Sequence, residues 1–345
     1  MTRTARTISP GRRALPTVGM LIVAGVLQGC GGAPSGAASQ AVAVPSEQIR
    51  VSGAFGNTSD AFWTTVMCSA KQRAKERGVK LTVYESKGAG PEELKNIEET
   101  LKSDAQGLIL NTFALDQKKG PVAVAEKMSK GIPVVTANDL QPATQYQSVN
   151  VNQDGSIVVN RALQEVGITG LVYVLGGLSS WPVMMASRYQ PTLDAIRAKA
   201  PAVRILPVEY SEFSPDLAEK LLRQAITKHP GLTMIIASSG PESEAAVKVL
   251  RDTGRKGKIK LLGFDAVPNA VSGLRDGTAF ALGSQPALDI GAAQVDSVAD
   301  YLTANPDGGA VTGTEKRLFP MVLLTRENLN DPASAGSVYS ATCAL

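Results

Sequence analysis

Histidine is nearly missing from this 345-residue chain, which carries only His229, and cysteine is confined to Cys30, Cys68 and Cys343. A zinc site takes about four ligands, most often His and Cys, so with one His and no close Cys pair a zinc site has no adequate ligand set, and no metal is expected. His229 lies in Lys228-His229-Pro230-Gly231, a helix-ending sequence that suits a cap better than a general base. There is no Gly-x-Ser-x-Gly elbow and no Gly-x-x-x-x-Gly-Lys-Ser/Thr loop. Hydrolase and nucleotide-triphosphatase chemistry therefore lack a nucleophile and a phosphate cradle. Basic runs are also missing: residues 1 to 29 hold Arg3, Arg6, Arg12 and Arg13 without an acid, and the remaining body balances 31 basic against 31 acidic residues. The net charge of +4 thus resides in the N-terminal segment, and no nucleic-acid partner is expected.

What is present is enough apolar chain for a folded body, with 43% hydrophobic and 19% charged residues. That excludes disordered, collagenous and small disulfide-stapled classes, and the length suggests two domains. The basic segment closes at Arg12-Arg13 and is followed by an apolar stretch, Ala14 to Leu27. This stretch falls short of the roughly 20 residues of a bilayer span and fits the hydrophobic region of an export signal. Leu27-Gln28-Gly29-Cys30 resembles a bacterial lipobox, with Gln28 departing from the usual small residue. Residues 1–29 are therefore expected to be a lipoprotein signal peptide and Cys30 the lipidated residue, with export by the general secretory or the twin-arginine route. Residues 30–47, rich in Ala, Ser, Gly and Pro, read as a flexible tether that leaves the protein extracytoplasmic and anchored to the cell membrane. Such a compartment permits a disulfide between Cys68 and Cys343, although two separate thiols fit the sequence equally well.

From Ile49 onward, β-branched runs alternate with helical patterns. Expected strands include Ile49 to Phe55, Gly107 to Asn111, Thr233 to Ala237 and Lys260 to Phe264. Expected helices include Asp60 to Arg77, Pro215 to Lys228 and Pro286 to Leu302. Near-continuous apolar strands such as Leu108-Ile109-Leu110 imply parallel sheets covered on both faces, and there are too many strands for one sheet. An α/β protein with two doubly wound lobes follows, and in such sheets ligands bind beyond the carboxyl ends of the strands.

Those strand ends carry amides, carboxylates, hydroxyls and aromatic rings, the chemistry needed to hold a small polyhydroxylated molecule. The ordered set Asp60-Ala61-Phe62-Trp63, Gly107 to Asn111, Gly131-Ile132-Pro133-Val134-Val135, Leu261-Leu262-Gly263-Phe264-Asp265 and Gln285-Pro286 resembles the type I sugar-binding periplasmic proteins of bacterial ABC importers. The ribose and galactose type is the nearest in shape, over about residues 48 to 325. The resemblance implies two lobes joined by a three-strand hinge, here 48–152 plus 286–318 and 153–285 plus 319–345. It implies a monomer that is not an enzyme, needs no cofactor or metal, clamps a monosaccharide or polyol and delivers it to an ABC permease. The implied ligand-binding set is Asn57, Asp60, Phe62, Trp63, Asn111, Asn138, Asp139, Arg188, Phe213, Ser239, Asp265 and Gln285.

Departures from the family pattern fall at Asn138-Asp139, which replaces a typical Asp-Arg pair, and at Ser239-Gly240, where Asn and Asp are common. They bear on which ligand is held. Several members have a plainer role open to them: Asp60 and Asp265 as helix caps, Phe62 and Trp63 as core, Arg188 as part of a solvated helix face. Two other functions fit the same residues, a receptor of this fold feeding a membrane signalling partner and a secreted carbohydrate-active enzyme.

Overall fold

The computed structural model describes residues 48–88, 90–111, 120–137, 143–152, 155–166, 170–179 and 188–343. The signal, the tether, Cys30, Asn138 and Asp139 lie outside the described residues.

The chain runs β1 (Arg50–Phe55), α1 (Ala61–Glu76), β2 (Lys80–Glu85), α2 (Pro91–Lys102), β3 (Gly107–Asn111), α3 (Gly120–Ser129), β4 (Val134–Thr136), β5 (Gln147–Asn152) and α4 (Ser156–Val166). It continues through β6 (Leu171–Gly176), α5 (Gln190–Lys199), β7 (Arg204–Ile205), β8 (Glu209–Tyr210), α6 (Pro215–Lys228), β9 (Leu232–Ala237), α7 (Gly240–Asp252) and β10 (Lys260–Phe264). The last elements are α8 (Pro268–Asp276), β11 (Ala281–Ser284), α9 (Ala287–Ala304), β12 (Glu315–Pro320), β13 (Val322–Leu324) and a 3-10 turn, Pro332–Ser337. Local chemistry sets many of these starts. Asp60 and Ser214 accept hydrogen bonds from the first turns of α1 and α6, and prolines enter the first turns of α2, α5, α6, α7 and α8.

Two sheets result, in the orders β12-β5-β4-β3-β1-β2 and β13-β11-β10-β9-β6-β7, with β8 pairing beside β6. Pairing is parallel throughout except between β11 and β13. Every residue of β3 and β6 is buried, and most of β1, β9 and β10 is too. This is why these strands read as unbroken apolar runs rather than alternating ones.

Among the described residues the chain passes between the sheets three times: after β5, between β11 and α9, and between β12 and β13, where Met321 alone separates the two strands. The third passage follows Pro320, two residues later than the sequence suggests. β12 was not expected from sequence at all. Its residues Glu315, Lys316 and Arg317 are exposed and it ends in proline, both marks of an edge strand that carries little hydrophobic signal.

Helix α9 returns to the first lobe because it packs on α1, meeting it tightly at Gly291. A Cβ there would lie 2.2 Å from the Val66 carbonyl oxygen, and Ser69 Oγ donates to the Leu288 carbonyl at 2.5 Å. Arg73 Nε and Arg77 Nη1 both reach Asp296 Oδ1, at 2.9 and 2.7 Å, and Arg77 Nη2 reaches Asp300 at 2.7 Å. A side chain at position 291 must push the two helices apart. Gly291→Val is expected to lower unfolding free energy by about 1–3 kcal/mol, read by urea denaturation; unchanged stability would show that the interface yields without cost.

Candidate functional site

The polar residues beyond the carboxyl ends of the strands gather around one carboxylate, Asp265, which follows β10. Its backbone sits in the left-handed region, at φ 66°, with its N–H donating to the Gly283 carbonyl at 2.8 Å. A non-glycine residue adopts that conformation only where its surroundings hold it, at a cost of about 1–3 kcal/mol. Here the side chain supplies the reason. Oδ2 accepts from Arg188 Nη1 at 3.1 Å and from the Gly240 N–H at 3.2 Å. Oδ1 faces Gln285 Nε2 at 3.3 Å, the Tyr339 hydroxyl at 3.4 Å and Arg188 Nη2 at 3.5 Å.

Arg188 is buried more deeply than Asp265: its side chain is 4% exposed and that of Asp265 12%. It donates also to the Ser238 carbonyl at 2.9 Å and lies 5.4 Å from the centre of the Phe264 ring. Burial works against the guanidinium's charge, and the charge and hydrogen bond of Asp265 more than offset it, so its pKa rises.

From the first lobe comes Asp60. The turn before α1 places Asn57 at φ 54°, its carbonyl accepts the Asp60 N–H at 2.9 Å, and its side chain accepts from Ser59 Oγ at 3.3 Å. Asp60 then caps α1, Oδ1 accepting from the Phe62 and Trp63 N–H groups at 2.8 and 3.4 Å. Desolvation and the negative charge of Asp265 push its carboxyl up to about 6, against the two backbone hydrogen bonds and the charge of Arg188. Asp60 thus caps α1 while lying close enough to the second lobe for the charges of Asp265 and Arg188 to act on it.

Aromatic faces flank this cluster. Phe62 is buried in the core cluster, with its ring 4.9 Å from Trp63 and 5.4 Å from Tyr339. Trp63 is partly buried and packs against the same core. Phe213 follows β8 at φ 57° and is 36% exposed. Its ring covers Gly177, where a Cβ would lie 2.2 Å from Phe213 Cε1, so the glycine makes room for the ring.

Two residues expected at the ligand stand apart from this cluster. Asn111 is 1% exposed and exchanges both amide hydrogen bonds with Gln294 of α9, at 2.7 Å each. It fastens β3 to α9 inside the first lobe, because a buried amide is most fully satisfied by a second amide. Ser239 points at Glu242, which also receives Ser211 Oγ. Burial pushes the Glu242 carboxyl up while the two serines pull it down; Ser239 serves that buried acid.

Glu242 and Tyr339 were not among the expected site residues. Tyr189 is a further residue that the sequence pattern does not single out; its hydroxyl accepts from the Gly177 N–H at 2.7 Å and from Ser238 Oγ at 3.0 Å. Tyr339 carried one signal in the sequence, its position four residues before a cysteine that has a possible partner. Cys68 and Cys343 are joined by a disulfide, with their Cα atoms 5.1 Å apart.

Comparison with known proteins follows from this geometry. Residues 54–306 match the family model of the periplasmic binding protein domain. The ribose import binding protein of Haemophilus influenzae is 22% identical over 250 residues, 70% of this chain and 82% of that protein. That of Escherichia coli is also 22% identical, over 69% of this chain and 80% of its own length. Among solved structures, an ABC transporter solute-binding protein from Agrobacterium vitis bound to α-D-tagatopyranose superposes with TM-score 0.71 at 17% identity, covering 85% of this chain and all of that one. One from Bacillus halodurans with bound myo-inositol gives 0.70 at 15% identity, over 83% of this chain and 98% of that one. At such identities the structural likeness speaks for the fold.

The raised carboxyl of Asp60 has a sign. Between its ordinary value of 3.8 and about 6, the folded chain holds a proton that the unfolded chain has released. Stability from this group is therefore present at low pH and is lost as pH rises through about 6, by about 3 kcal/mol in total. Asp60→Asn keeps a capping side chain and removes the titration. Urea denaturation is expected to find the variant level with wild type near pH 4 and more stable near pH 7; a difference that does not change with pH would place Asp60 in water.

Proposed function

The chain belongs to the periplasmic binding protein domain family, a family of binding proteins rather than enzymes, and from that premise we propose that it is an extracytoplasmic solute-binding lipoprotein. It captures a monosaccharide or polyol between its two lobes and delivers it to an ABC permease. The observation that carries this reading is the cluster of Arg188 and Gln285 on Asp265 in one lobe, close enough to Asp60 of the other that the charges of Asp265 and Arg188 act on its carboxyl, with Trp63 and Phe213 as the exposed or half-buried aromatic faces. Carboxylates accept from sugar hydroxyls, a guanidinium and an amide donate to them, and rings cover the apolar faces of the ring carbons. Relatives bound to tagatopyranose, D-fucose, D-arabinose and myo-inositol support a ligand of that class.

Arg188 and Asp265 satisfy each other when the site is empty, so neither is left as an unpaired buried charge. A vicinal diol inserts by donating to the carboxylate and accepting from the guanidinium, which preserves the hydrogen-bond count of both. Contacts from Asp60 are available only when the lobes approach. The ligand therefore binds the closed form better than the open one and shifts the population toward closure. The permease recognises that closed face, and the chain acts as a monomer.

Cys30 carries the lipid in this reading. Residues 30–47 are then the tether between the lipid and the folded body.

A thermal-shift screen of D-ribose, D-galactose, D-tagatose, D-fucose, D-arabinose and myo-inositol is expected to raise Tm for at least one, because a ligand that binds only the folded state stabilises it. Asp265→Ala should then weaken that ligand by about 1–3 kcal/mol, measured by calorimetry. No stabilisation by any sugar or polyol would overturn the carbohydrate assignment. Cys30→Ser should move the protein from the membrane to the soluble fraction; retention there would remove the lipid anchor.

A further inference from the structure

Beyond the three passages between the lobes, the chain makes a fourth connection. After β13 the C-terminal segment leaves the second sheet, and residues 337–343 lie across both lobes. On the second lobe, the Tyr339 N–H donates to the Ala266 carbonyl at 3.0 Å, and the Tyr339 hydroxyl accepts from the Gln285 N–H at 2.9 Å and faces Asp265 at 3.4 Å. Ser284 Oγ donates to the Ser337 carbonyl at 2.6 Å. On the first lobe, one residue further along, the Ser340 N–H donates to Thr65 Oγ1 of α1 at 2.8 Å, and the Tyr339 ring packs on Phe62. The disulfide then fixes Cys343 to Cys68, also on α1.

We propose that residues 337–343 form a strap across the hinge, locked to the first lobe by Cys68–Cys343 and to the second lobe by Tyr339, and that this strap limits how far the lobes open. Three crossing strands alone permit a hinge motion by small changes in backbone dihedrals. A fourth connection that is covalent at one end and buried at the other does not permit it without tearing out Tyr339, which is 4% exposed. Tyr339 also touches Asp265, so the strap holds the binding carboxylate in register with α1, whose first turn Asp60 caps. The inference rests on the two-lobed architecture and does not depend on which solute is bound.

The test uses the ligand-free mature chain. Two variants loosen one end each: Cys68→Ser with Cys343→Ser removes the covalent tie to the first lobe, leaving the Ser340 hydrogen bond to Thr65, and Tyr339→Phe keeps the ring on Phe62 while removing the hydroxyl contacts to the second lobe, leaving the backbone tie to Ala266. A third arm reduces the native bridge in folded wild type, using the exposure of Cys343. Tris(2-carboxyethyl)phosphine converts the bridge to two thiols and is itself oxidised to the phosphine oxide with oxygen from water.

Small-angle X-ray scattering should show a larger radius of gyration and a pair-distance distribution shifted to longer distances for the cysteine variant and the reduced protein, with a smaller shift for Tyr339→Phe. Hydrogen exchange should show loss of protection at the Ser340 amide on cutting the bridge. Unchanged scattering in all three arms, even with a lowered Tm, would overturn the strap and leave the disulfide as a staple of the folded chain. Because these readouts need no sugar, a failure of the screen above would leave them standing.

Discussion

The buried pair of Arg188 and Asp265 is the contact on which the site and much of the second lobe depend. Neither charge can be taken from water alone, since removing one partner of such a pair typically costs about 3–5 kcal/mol. Each therefore collects further partners, Asp265 from Gly240, Gln285 and Tyr339, and Arg188 from the Ser238 carbonyl and the Phe264 ring. These groups come from the ends of β9, β10 and β11, from the start of α7 and from the C-terminal segment. A single electrostatic requirement thus aligns several strand ends and pins a distant stretch of chain, and it holds Asp265 in a left-handed conformation it would otherwise avoid.

That arrangement is also what suits the pair to a polyhydroxylated solute. A hydroxyl both donates and accepts, so it can enter between a carboxylate and a guanidinium without orphaning either. An ionic solute would have to displace one of them. Asp60 adds a second acceptor whose own charge is opposed by burial and by Asp265. The first lobe therefore contributes a group that is unfavourable as an anion until a donor reaches it, and in the proposed function that donor is the solute.

The sequence made the fold largely legible. Apolar strands buried on both faces give unbroken hydrophobic runs, and caps such as Asp60 and Ser214 mark helix starts, so β3, β10 and α6 were placed to the residue. β12 was invisible because an exposed edge strand carries charges and needs no apolar pattern. Asp60, Arg188, Asp265 and Gln285, named from order and spacing along a chain that resembles a known family, are brought by the fold to one polar cluster. Asn111 and Ser239 had the right residue type at the right strand ends, yet their partners, Gln294 and Glu242, lie on helices whose facing side chains no local pattern reveals. Tyr339 was missed for the opposite reason, since it lies in no strand or helix and its importance comes only from what it reaches.

Taken alone, the sequence determined the periodicities, the caps and the charge balance of the body, because those depend on each residue and its near neighbours. It also left the pairing of Cys68 with Cys343 undecided between a bridge and two thiols. Tertiary structure decided which of the strand-end polar groups share one cluster, that α9 returns to the first lobe, and that the C-terminal segment crosses back to α1. Those outcomes depend on which buried charges and amides find partners across more than 70 residues of chain, as Arg188 does with Asp265 and Asn111 with Gln294. Satisfaction of polar groups at such separations is a property of the packed molecule and has no local signature.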